Sequence, residues 1–377
     1  MSQAPDVLIV GGGMICFDCI FPTVFQEQRF GRVGKVSLST LRAEFVTRAR
    51  EHEVCKGKKL HGYPDPEKFP ADEDHPEMFA QAIEHGHHCI VMKPLCLKID
   101  EARKVQAAAR EQGIFVATDY HKRHDRAVRA AKHYYTRGTL GEVTHGHAYI
   151  EERREIPTKW FAAWCHKSSP FEYIGVHYAD AFYYITGLLP KRLLAWGQKK
   201  WLPAHGHPDA FDAVQTAIEW ENGAVLFIRT AWISPMSQTT LTNQGMSLYC
   251  TEGEYWSDHK DRNTDFVTTA KGYEHYNPNF MKPYCDWEDT GEDLWIGYGY
   301  DSIAYAIADI ARLNAETEGL DEAAALAKRQ AILAEMEKTR ALPNQALVGV
   351  AINEAVRMSI DNDSQYVNFD KDMNLSL

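Results

Sequence analysis

The size and charge of this 377-residue chain exclude several classes of protein, and its length predicts two domains because one ordinary hydrophobic core does not grow so large. Its 41 basic residues are outnumbered by 52 acidic ones and the net charge is −11, which argues against nucleic acid as a partner. No apolar run approaches the roughly 18 residues of a membrane span, and the eight cysteines follow no secretion signal. We therefore expect a cytoplasmic, soluble protein with reduced thiols, with no membrane contact and no metal site.

The first element is a short β-branched strand, residues 6–10, that ends in three consecutive glycines. The sequence then becomes helical at Met14 and Ile15, so the glycines form a tight turn between a strand and a helix. Such a turn lets backbone N–H groups approach a pyrophosphate, and the helix dipole favours its negative charge. Gly11, Gly13, Met14 and Ile15 are therefore candidate cofactor-binding residues.

The second predicted strand, residues 34–40, ends close to Arg42 and Glu44. A dinucleotide-binding fold commonly has an acidic residue near this point for the adenosine ribose. Arg42 could bind the 2′-phosphate of NADP, whereas Glu44 is compatible with NAD. Both cofactors remain open, with NAD slightly favoured.

A later buried strand, residues 88–92, delivers Lys93 and Pro94. Proline favours an extended conformation for the residue before it and ends the strand there. The ammonium group is therefore expected at the carboxyl edge of the sheet, where ligands of open α/β sheets bind.

The stretch 171–180 puts His177 and Asp180 three residues apart in an apolar, aromatic run. A helix over 174–186, closed by Gly187, would present both side chains on one face. For the pair alone, a core histidine with a capping aspartate is the simpler interpretation.

Together the glycine turn, the Met92-Lys93-Pro94 segment and the 171–180 stretch resemble the Gfo/Idh/MocA family of NAD(P)-dependent oxidoreductases, from Asp6 to about Ile360. The resemblance implies an α/β fold with an N-terminal Rossmann dinucleotide-binding domain, residues 1–125. It also implies a C-terminal α+β substrate-binding domain, residues 126–377, with an open antiparallel sheet. Relatives associate through that sheet, so a homodimer or homotetramer is expected.

The resemblance also implies roles for particular residues. Lys93 and His177 would be catalytic and would meet between the two domains, and Tyr173 stands where the family usually has an aspartate. The remaining implied contacts are Lys93, Pro94 and His121 with the cofactor, and Arg123, Trp164, Tyr173 and Asp180 with the substrate.

Two departures from the family pattern concern the first domain. Met92 replaces the glutamate that usually precedes the Lys-Pro pair. Only residues 64–75, rich in Pro, Asp and Glu, separate Tyr63 from a predicted helix at 76–84, where relatives have a further strand. Either the domain has lost a strand or residues are missing from this sequence.

Alternation of apolar and polar residues predicts antiparallel strands in the second half of the chain. The predicted strands are 142–150, 193–197, 213–220, 224–232, 246–250 and 254–256, and helices are predicted at 99–110, 126–137, 300–311, 321–340 and 344–359. Glu221-Asn222-Gly223 is typical of a tight hairpin turn.

These observations predict hydride transfer between nicotinamide and a secondary alcohol of a sugar, glycoside or cyclitol. A first alternative is an NAD-dependent glycosidase that works by transient oxidation and elimination with the same lysine and histidine. A second is a non-catalytic sugar- or nucleotide-binding protein of the same fold.

Overall fold

The computed structural model describes residues 4–40, 42–63, 82–285 and 293–377. Most of the helix expected at 76–84, and the shortened segment before it, lie outside these ranges. The strands are β1 Val7–Val10, β2 Val36–Ser39, β3 His61–Tyr63, β4 Cys89–Met92, β5 Val116–Asp119, β6 Val143–Arg153, β7 Pro190–Gln198, β8 Ala213–Trp220, β9 Val225–Ser234, β10 Thr242–Cys250, β11 Glu254–Asp258, β12 Asp265–Thr268, β13 Gly272–His275, β14 Lys282–Cys285, β15 Asp293–Ile296, β16 Val367–Phe369 and β17 Leu375–Ser376. The helices are α1 Phe21–Arg29, α2 Ala43–Glu51, α3 Ile99–Gln112, α4 Arg126–Thr136, α5 Val176–Thr186, α6 Trp201–Ala204, α7 Tyr298–Thr317, α8 Glu322–Met336 and α9 Pro343–Asp361.

The chain divides into two compact units that are not contiguous in sequence. The first unit comprises Met1–Met92, Lys104–His121 and Asn279–Pro343, and the second comprises Lys93–Arg103, Lys122–Pro278 and Asn344–Leu377. Residues 279–343, which the sequence analysis assigns to the second domain, thus belong with the first unit. Within the described ranges no helix is long and apolar enough to cross a bilayer.

The first unit has the strand–helix alternation of a Rossmann domain, but its parallel sheet is in two pieces. One piece has the order β1-β2-β3 and the other pairs β4 with β5, both in parallel. In the described part of the chain, β1 pairs only with β2, and its Leu8 and Val10 side chains are 48% and 54% exposed. A Rossmann sheet normally continues beyond its first strand, and residues 64–75, where the sequence analysis found no room for a further strand, lie outside the described ranges.

The core of the first unit joins the N-terminal elements to α7. Phe21 and Val24 of α1 pack with Val36 and Leu38 of β2, and Ile303 of α7 completes the cluster. The face of α7 that is rich in alanine and isoleucine is apolar, so it must pack against another element to be buried. This packing explains why residues 279–343 belong to the first unit.

The second unit is built on one eight-stranded sheet of order β11-β10-β6-β9-β8-β7-β16-β17. Its neighbouring strands are antiparallel except for β6 and β9, which run parallel. One face is apolar and buried, as in the alternating pattern of β6 and β9. The opposite face carries Trp196, Phe227 and Trp256, which are 43%, 47% and 75% exposed.

The helix that carries the histidine motif packs on the buried face of this sheet. Residues 171–175 form a π-helical turn that leads directly into α5. Gly187 ends α5 in the left-handed conformation, with φ of 75°, and its N–H donates to the carbonyl of Tyr183 at 2.7 Å. The predicted glycine cap is therefore confirmed.

Candidate functional site

The glycine turn after β1 leaves room for a ligand in the first unit. Gly11 has φ of 90°, a conformation that side chains disfavour, and its N–H bonds the carbonyl of Ser39. A Cβ atom added at Gly11 or Gly13 would meet no atom within 4 Å. Among the described residues, nothing accepts a hydrogen bond from the N–H groups of Gly12 and Gly13. Open space beside unused amides at a helix start fits a dinucleotide phosphate.

The helix after this turn begins at Met14 and Ile15 and contains a π-helical segment, Cys16–Ile20. The Cys16 thiol donates to the carbonyl of Gly11 at 3.3 Å, which ties the turn to the helix. Burial raises the pKa of Cys16 to about 11. Cys16 is therefore a neutral thiol, and it stands where the third glycine falls in the G-x-G-x-x-G pattern that begins at Gly11.

Arg42 and Glu44 lie together at the start of α2. Arg42 Nη1 is 3.7 Å from Glu44 Oε1, and the two side chains are 46% and 57% exposed. The Thr40 hydroxyl donates to the carbonyl of Arg42 at 2.7 Å, which fixes the backbone between β2 and α2. Both charges thus stand near the end of β2, as the sequence predicted.

His121 lies at the end of the second stretch of the first unit, two residues after β5. Its ring stacks on Tyr298, with the centroids 5.6 Å apart, and contacts Phe280 at 5.5 Å. The aromatic neighbours therefore fix the ring of His121 within its own unit.

Lys93 belongs to the second unit, although β4, which delivers it, belongs to the first. The Lys93–Pro94 peptide bond is cis. The Lys93 ammonium lies 4.1 Å from the centre of the Tyr173 ring, and the N–H of Ile99 bonds the Glu354 carboxylate at 2.8 Å. These contacts explain why the segment from 93 groups with His177 rather than with the strand before it.

An aromatic cluster surrounds Tyr173. The Phe161 ring is 4.6 Å from Tyr173 and 4.2 Å from Trp164, and the Trp232 ring is 6.1 Å from Tyr173. Sequence reasoning named Trp164 and Tyr173 but missed Phe161 and Trp232, because Phe161 follows a π-helical segment, Ile156–Trp160, and Trp232 lies on β9, and only the fold brings these segments together. The Tyr173 ring thus sits between a cation and other aromatic rings.

Glu152 is a buried carboxyl group that sequence reasoning also missed. The indole Nε1–H of Trp232 donates to Glu152 Oε2 at 3.0 Å. Burial raises the pKa of Glu152 to about 7, although the charge of Lys93 and the Trp232 hydrogen bond both lower it. A signal was present in the sequence, since Glu152 follows Ala148 and Ile150 on the apolar side of the β6 alternation.

His177 and Asp180 lie on α5, and both are buried, with exposures of 4% and 3%. Two hydrogen bonds of 2.8 and 2.6 Å join Arg123 to Asp180, and Arg123 also donates to Gln345 at 2.5 Å. The pKa of Asp180 is raised by burial, with Arg123 acting in the opposite direction. Arg123 and Asp180 thus hold each other, and their contact with a substrate stays a prediction.

A second buried polar network lies beside this pair. The Lys122 ammonium donates to Gln244 Oε1 at 2.5 Å and lies 4.7 Å from the Tyr178 ring centre. Burial lowers the pKa of Lys122 to about 7. The His259 ring nitrogens contact the hydroxyls of Tyr178 and Tyr255 at 3.1 and 3.0 Å. Through Tyr178, this network connects α5 to His259 and so fixes the residues that pack against the helix.

One cluster among the described residues has groups that could ligate a metal, namely Asp261, Asp265 and His275. The Nδ1 atom of His275 lies 2.7 Å from Asp261 Oδ2 and 2.5 Å from Asp265 Oδ1. The Lys260 ammonium is 2.9 Å from the same Asp261 oxygen. These separations show that the side chains contact one another directly.

Comparisons with known proteins match both halves of the chain to one family. Residues 6–120 match the model described as an oxidoreductase family with an NAD-binding Rossmann fold, and residues 128–256 match the Gfo/Idh/MocA C-terminal domain. Similar curated proteins include the D-glucoside 3-dehydrogenase of Escherichia coli, 25% identical over 45% of this chain and 52% of that protein. The scyllo-inositol 2-dehydrogenase (NAD(+)) of Bacillus subtilis is 23% identical over 43% of this chain and 46% of that protein. The alignments thus span about half of each relative.

Solved structures share the fold over nearly the whole chain. GenD2 from gentamicin A biosynthesis, in complex with NAD, has a TM-score of 0.68 at 16% identity, with coverage of 98% of this chain and 97% of that chain. The scyllo-inositol dehydrogenase of Lactobacillus casei, with NAD(H) and scyllo-inositol, has a TM-score of 0.64 at 13% identity, with coverage of 97% and 99%. At such identities the likeness concerns the fold alone.

Proposed function

Because this chain belongs to the Gfo/Idh/MocA family of oxidoreductases, we propose that it is an NAD-dependent dehydrogenase acting on a secondary alcohol of a sugar, glycoside or cyclitol. The observation that carries the proposal is the Lys93 ammonium held 4.1 Å from the Tyr173 ring, in the same unit as the buried His177. Such a cation and an imidazole are the groups that proton removal from an alcohol requires.

The glycine turn would hold the dinucleotide. Gly11 and Gly13 keep the space beside the helix start open, and the amides at Gly12 and Gly13 face the position of a phosphate in this proposal. Bound nicotinamide would supply the hydride acceptor or donor. The Glu44 carboxylate, paired with Arg42, would accept a hydrogen bond from a ribose hydroxyl of NAD. Its negative charge would repel the 2′-phosphate of NADP, which supports NAD as the cofactor.

Lys93 and His177 would act on the alcohol hydroxyl. His177 would accept its proton as a neutral base, so turnover in the oxidative direction is expected to rise with pH as the imidazole becomes neutral. Lys93 would donate a hydrogen bond to the alcohol oxygen and stabilise the negative charge that develops there. Tyr173 would hold Lys93 through its ring, and its hydroxyl would bind a neighbouring substrate hydroxyl.

The substrate class follows from the cluster around Tyr173. The buried Phe161 and Trp232 rings pack against Tyr173, whose ring contacts Lys93. The half-buried rings of Trp164 and Tyr173 would suit the apolar C–H faces of pyranosides and cyclitols. Relatives named as glucoside and inositol dehydrogenases support the same class. Arg123 and Asp180 would position α5, and a role in binding the substrate remains part of the proposal.

Steady-state oxidation of a panel of inositols, methyl glycosides and anhydro sugars, with NAD and with NADP, tests the proposal. Lys93→Ala and His177→Ala should each lower kcat/KM by about 10²- to 10⁴-fold, the typical loss of a positioned acid–base group. Cofactor affinity should stay within a few-fold of the wild type. Lys98→Ala and His133→Ala, which change exposed residues of the same types, are matched controls.

Wild-type rates in either active-site variant would remove that residue from the mechanism. The same panel should include aryl glycosides. Release of the free aglycone, with no net reduction of NAD, would indicate the glycosidase instead. Cofactor binding without turnover of any compound would indicate a non-catalytic binding protein.

A further inference from the structure

The Glu152 carboxyl group lies on the buried face of β6, beside the Tyr173 cluster. It is bonded to Trp232 at 3.0 Å, and Trp232 lies 6.1 Å from the Tyr173 ring, over which Lys93 sits at 4.1 Å. The charge of Lys93 opposes the rise in the pKa of Glu152 that burial causes. A cation and a carboxyl group thus lie beside the same pair of aromatic rings. The four residues, Lys93, Tyr173, Trp232 and Glu152, come from four segments of the second unit.

Two other acidic residues, next to Tyr173 and on α5, accept hydrogen bonds from arginines. The Glu172 carboxylate, next to Tyr173 in the chain, accepts hydrogen bonds from both Nε and Nη2 of Arg357. Asp180 accepts two hydrogen bonds from Arg123. The residue before Lys93 in the chain is Met92, which has no charge.

We propose that Glu152 is a positioning residue for Lys93, whose ammonium it holds as a counter-ion against the Tyr173 ring. A carboxylate there balances the lysine charge in an aromatic surrounding of low polarity, where an uncompensated ammonium is costly. It also keeps Lys93 protonated, and a protonated lysine is what stabilises a developing alkoxide. The catalytic part of this role rests on the proposed dehydrogenase function.

The polar groups that act on Glu152 come from two other segments of the chain. They are the Lys93 ammonium after β4 and the Trp232 indole on β9, and Tyr173 contributes its ring and phenol to the same cluster. With its pKa raised to about 7 by burial, Glu152 carries its charge above neutral pH. The counter-ion is therefore present at mildly alkaline pH.

Chemical labelling of lysines measures this coupling without any turnover. Glu152→Gln keeps the size of the side chain and an oxygen for Trp232 but removes the charge. At about pH 8.5, acetylation of Lys93 relative to Lys98, followed by mass spectrometry, should rise about tenfold, because loss of a neighbouring opposite charge lowers the pKa of an amine by about one unit or more. Glu152→Asp, which keeps the charge, and Glu172→Gln, which removes a carboxylate committed to Arg357, should both stay within about threefold of the wild type.

Equal labelling of Lys93 in the wild type and Glu152→Gln overturns the proposal. A tenfold rise that also occurs in Glu152→Asp overturns it as well, since altered packing rather than charge would then be responsible. In the dehydrogenase assay, Glu152→Gln should lower kcat more than it changes KM, and the alkaline limb of its pH profile should move to lower pH. If Lys93 labelling depends on Glu152 but the protein has no dehydrogenase activity, the ion pair is supported and the proposed function is refuted.

A second measurement does not require a Glu152 variant to fold. The indole N–H signal of Trp232, assigned by its loss in Trp232→Phe, should titrate with Glu152 because the two groups are bonded. Its midpoint in the wild-type protein is expected near the pKa of about 7. Coupling is reciprocal, so Lys93→Met should raise this midpoint by about one unit or more. An unchanged midpoint in Lys93→Met overturns the proposal.

Discussion

Replacement of either partner in the Arg123–Asp180 pair should have unequal effects on the stability of the second unit. Asp180→Asn leaves a guanidinium group in a site where the two side chains are 4% and 1% exposed. Arginine does not lose its proton in proteins, so the buried charge persists. Arg123→Met leaves a carboxyl group whose pKa burial already raises, and this group can take up a proton and become neutral.

The size of each effect follows from the geometry. Hydrogen bonds of 2.8 and 2.6 Å join the two charges, and Arg123 also donates a hydrogen bond to Gln345. Breaking a buried pair of this kind costs about 3–5 kcal/mol when a charge is left uncompensated. We expect Asp180→Asn to fall in that range. Arg123→Met should cost roughly 1–3 kcal/mol, the desolvation penalty of a group that neutralises itself.

Urea denaturation followed by tryptophan fluorescence at about pH 7 and pH 5 measures both changes. Arg123→Met should approach the wild-type free energy of unfolding at the lower pH, because its carboxyl group then takes up the proton readily. Lys98→Met, which breaks a pair whose lysine is 60% exposed, is the control and should cost less than about 1 kcal/mol. Equal losses for Asp180→Asn and Arg123→Met at both pH values would refute this reasoning.

Three further predictions concern the cofactor, the buried lysine and the open sheet. Gly13→Val should abolish dinucleotide binding in calorimetry while the melting temperature holds, because the added side chain enters open space; unchanged affinity would exclude the site. The pKa of Lys122 is about 7 when folded against an ordinary value of 10.5, so the unfolded chain binds more protons between these values and stability should rise by about 2 kcal/mol from pH 7 to 9. Lys122→Met should lose that rise in urea denaturation, and a rise of equal size in the variant would contradict the assignment. Phe227→Glu on the open face should convert the expected oligomer to a monomer in light scattering, whereas Tyr305→Glu, at an exposed aromatic residue of the first unit, should not; a strictly monomeric wild type would reject the interface.

The order of elements could be predicted because it depends on local pattern. β8 was expected at 213–220 and spans Ala213–Trp220, and α5 was expected at 174–186 and spans Val176–Thr186. Alternation with a period of two and the position of a capping glycine are properties of short segments, so neighbouring residues suffice to reveal them. The hairpins β12-β13 and β14-β15 carry weaker alternation and were not predicted.

The membership of each unit could not be predicted, because it depends on contacts between distant segments. Helix α7 follows the large sheet in the chain, yet its Ile303 and Ile307 side chains pack with the N-terminal core. The parallel pairing of β6 with β9 inside a mostly antiparallel sheet is likewise a matter of chain path. An apolar helix face specifies that it will be buried, without specifying the surface that buries it.

The sequence by itself determined the family and led to the prediction that Lys93 and His177 are catalytic, since both stand in segments whose order and spacing are distinctive. Tertiary structure decided which residues surround them. Glu152 and Trp232 are 80 residues apart in the chain and meet at 3.0 Å because β6 and β9 are neighbouring strands. The charge of Lys93 reaches a carboxyl group that no local pattern associates with it, because electrostatic interaction depends on distance in space and on burial rather than on separation along the chain.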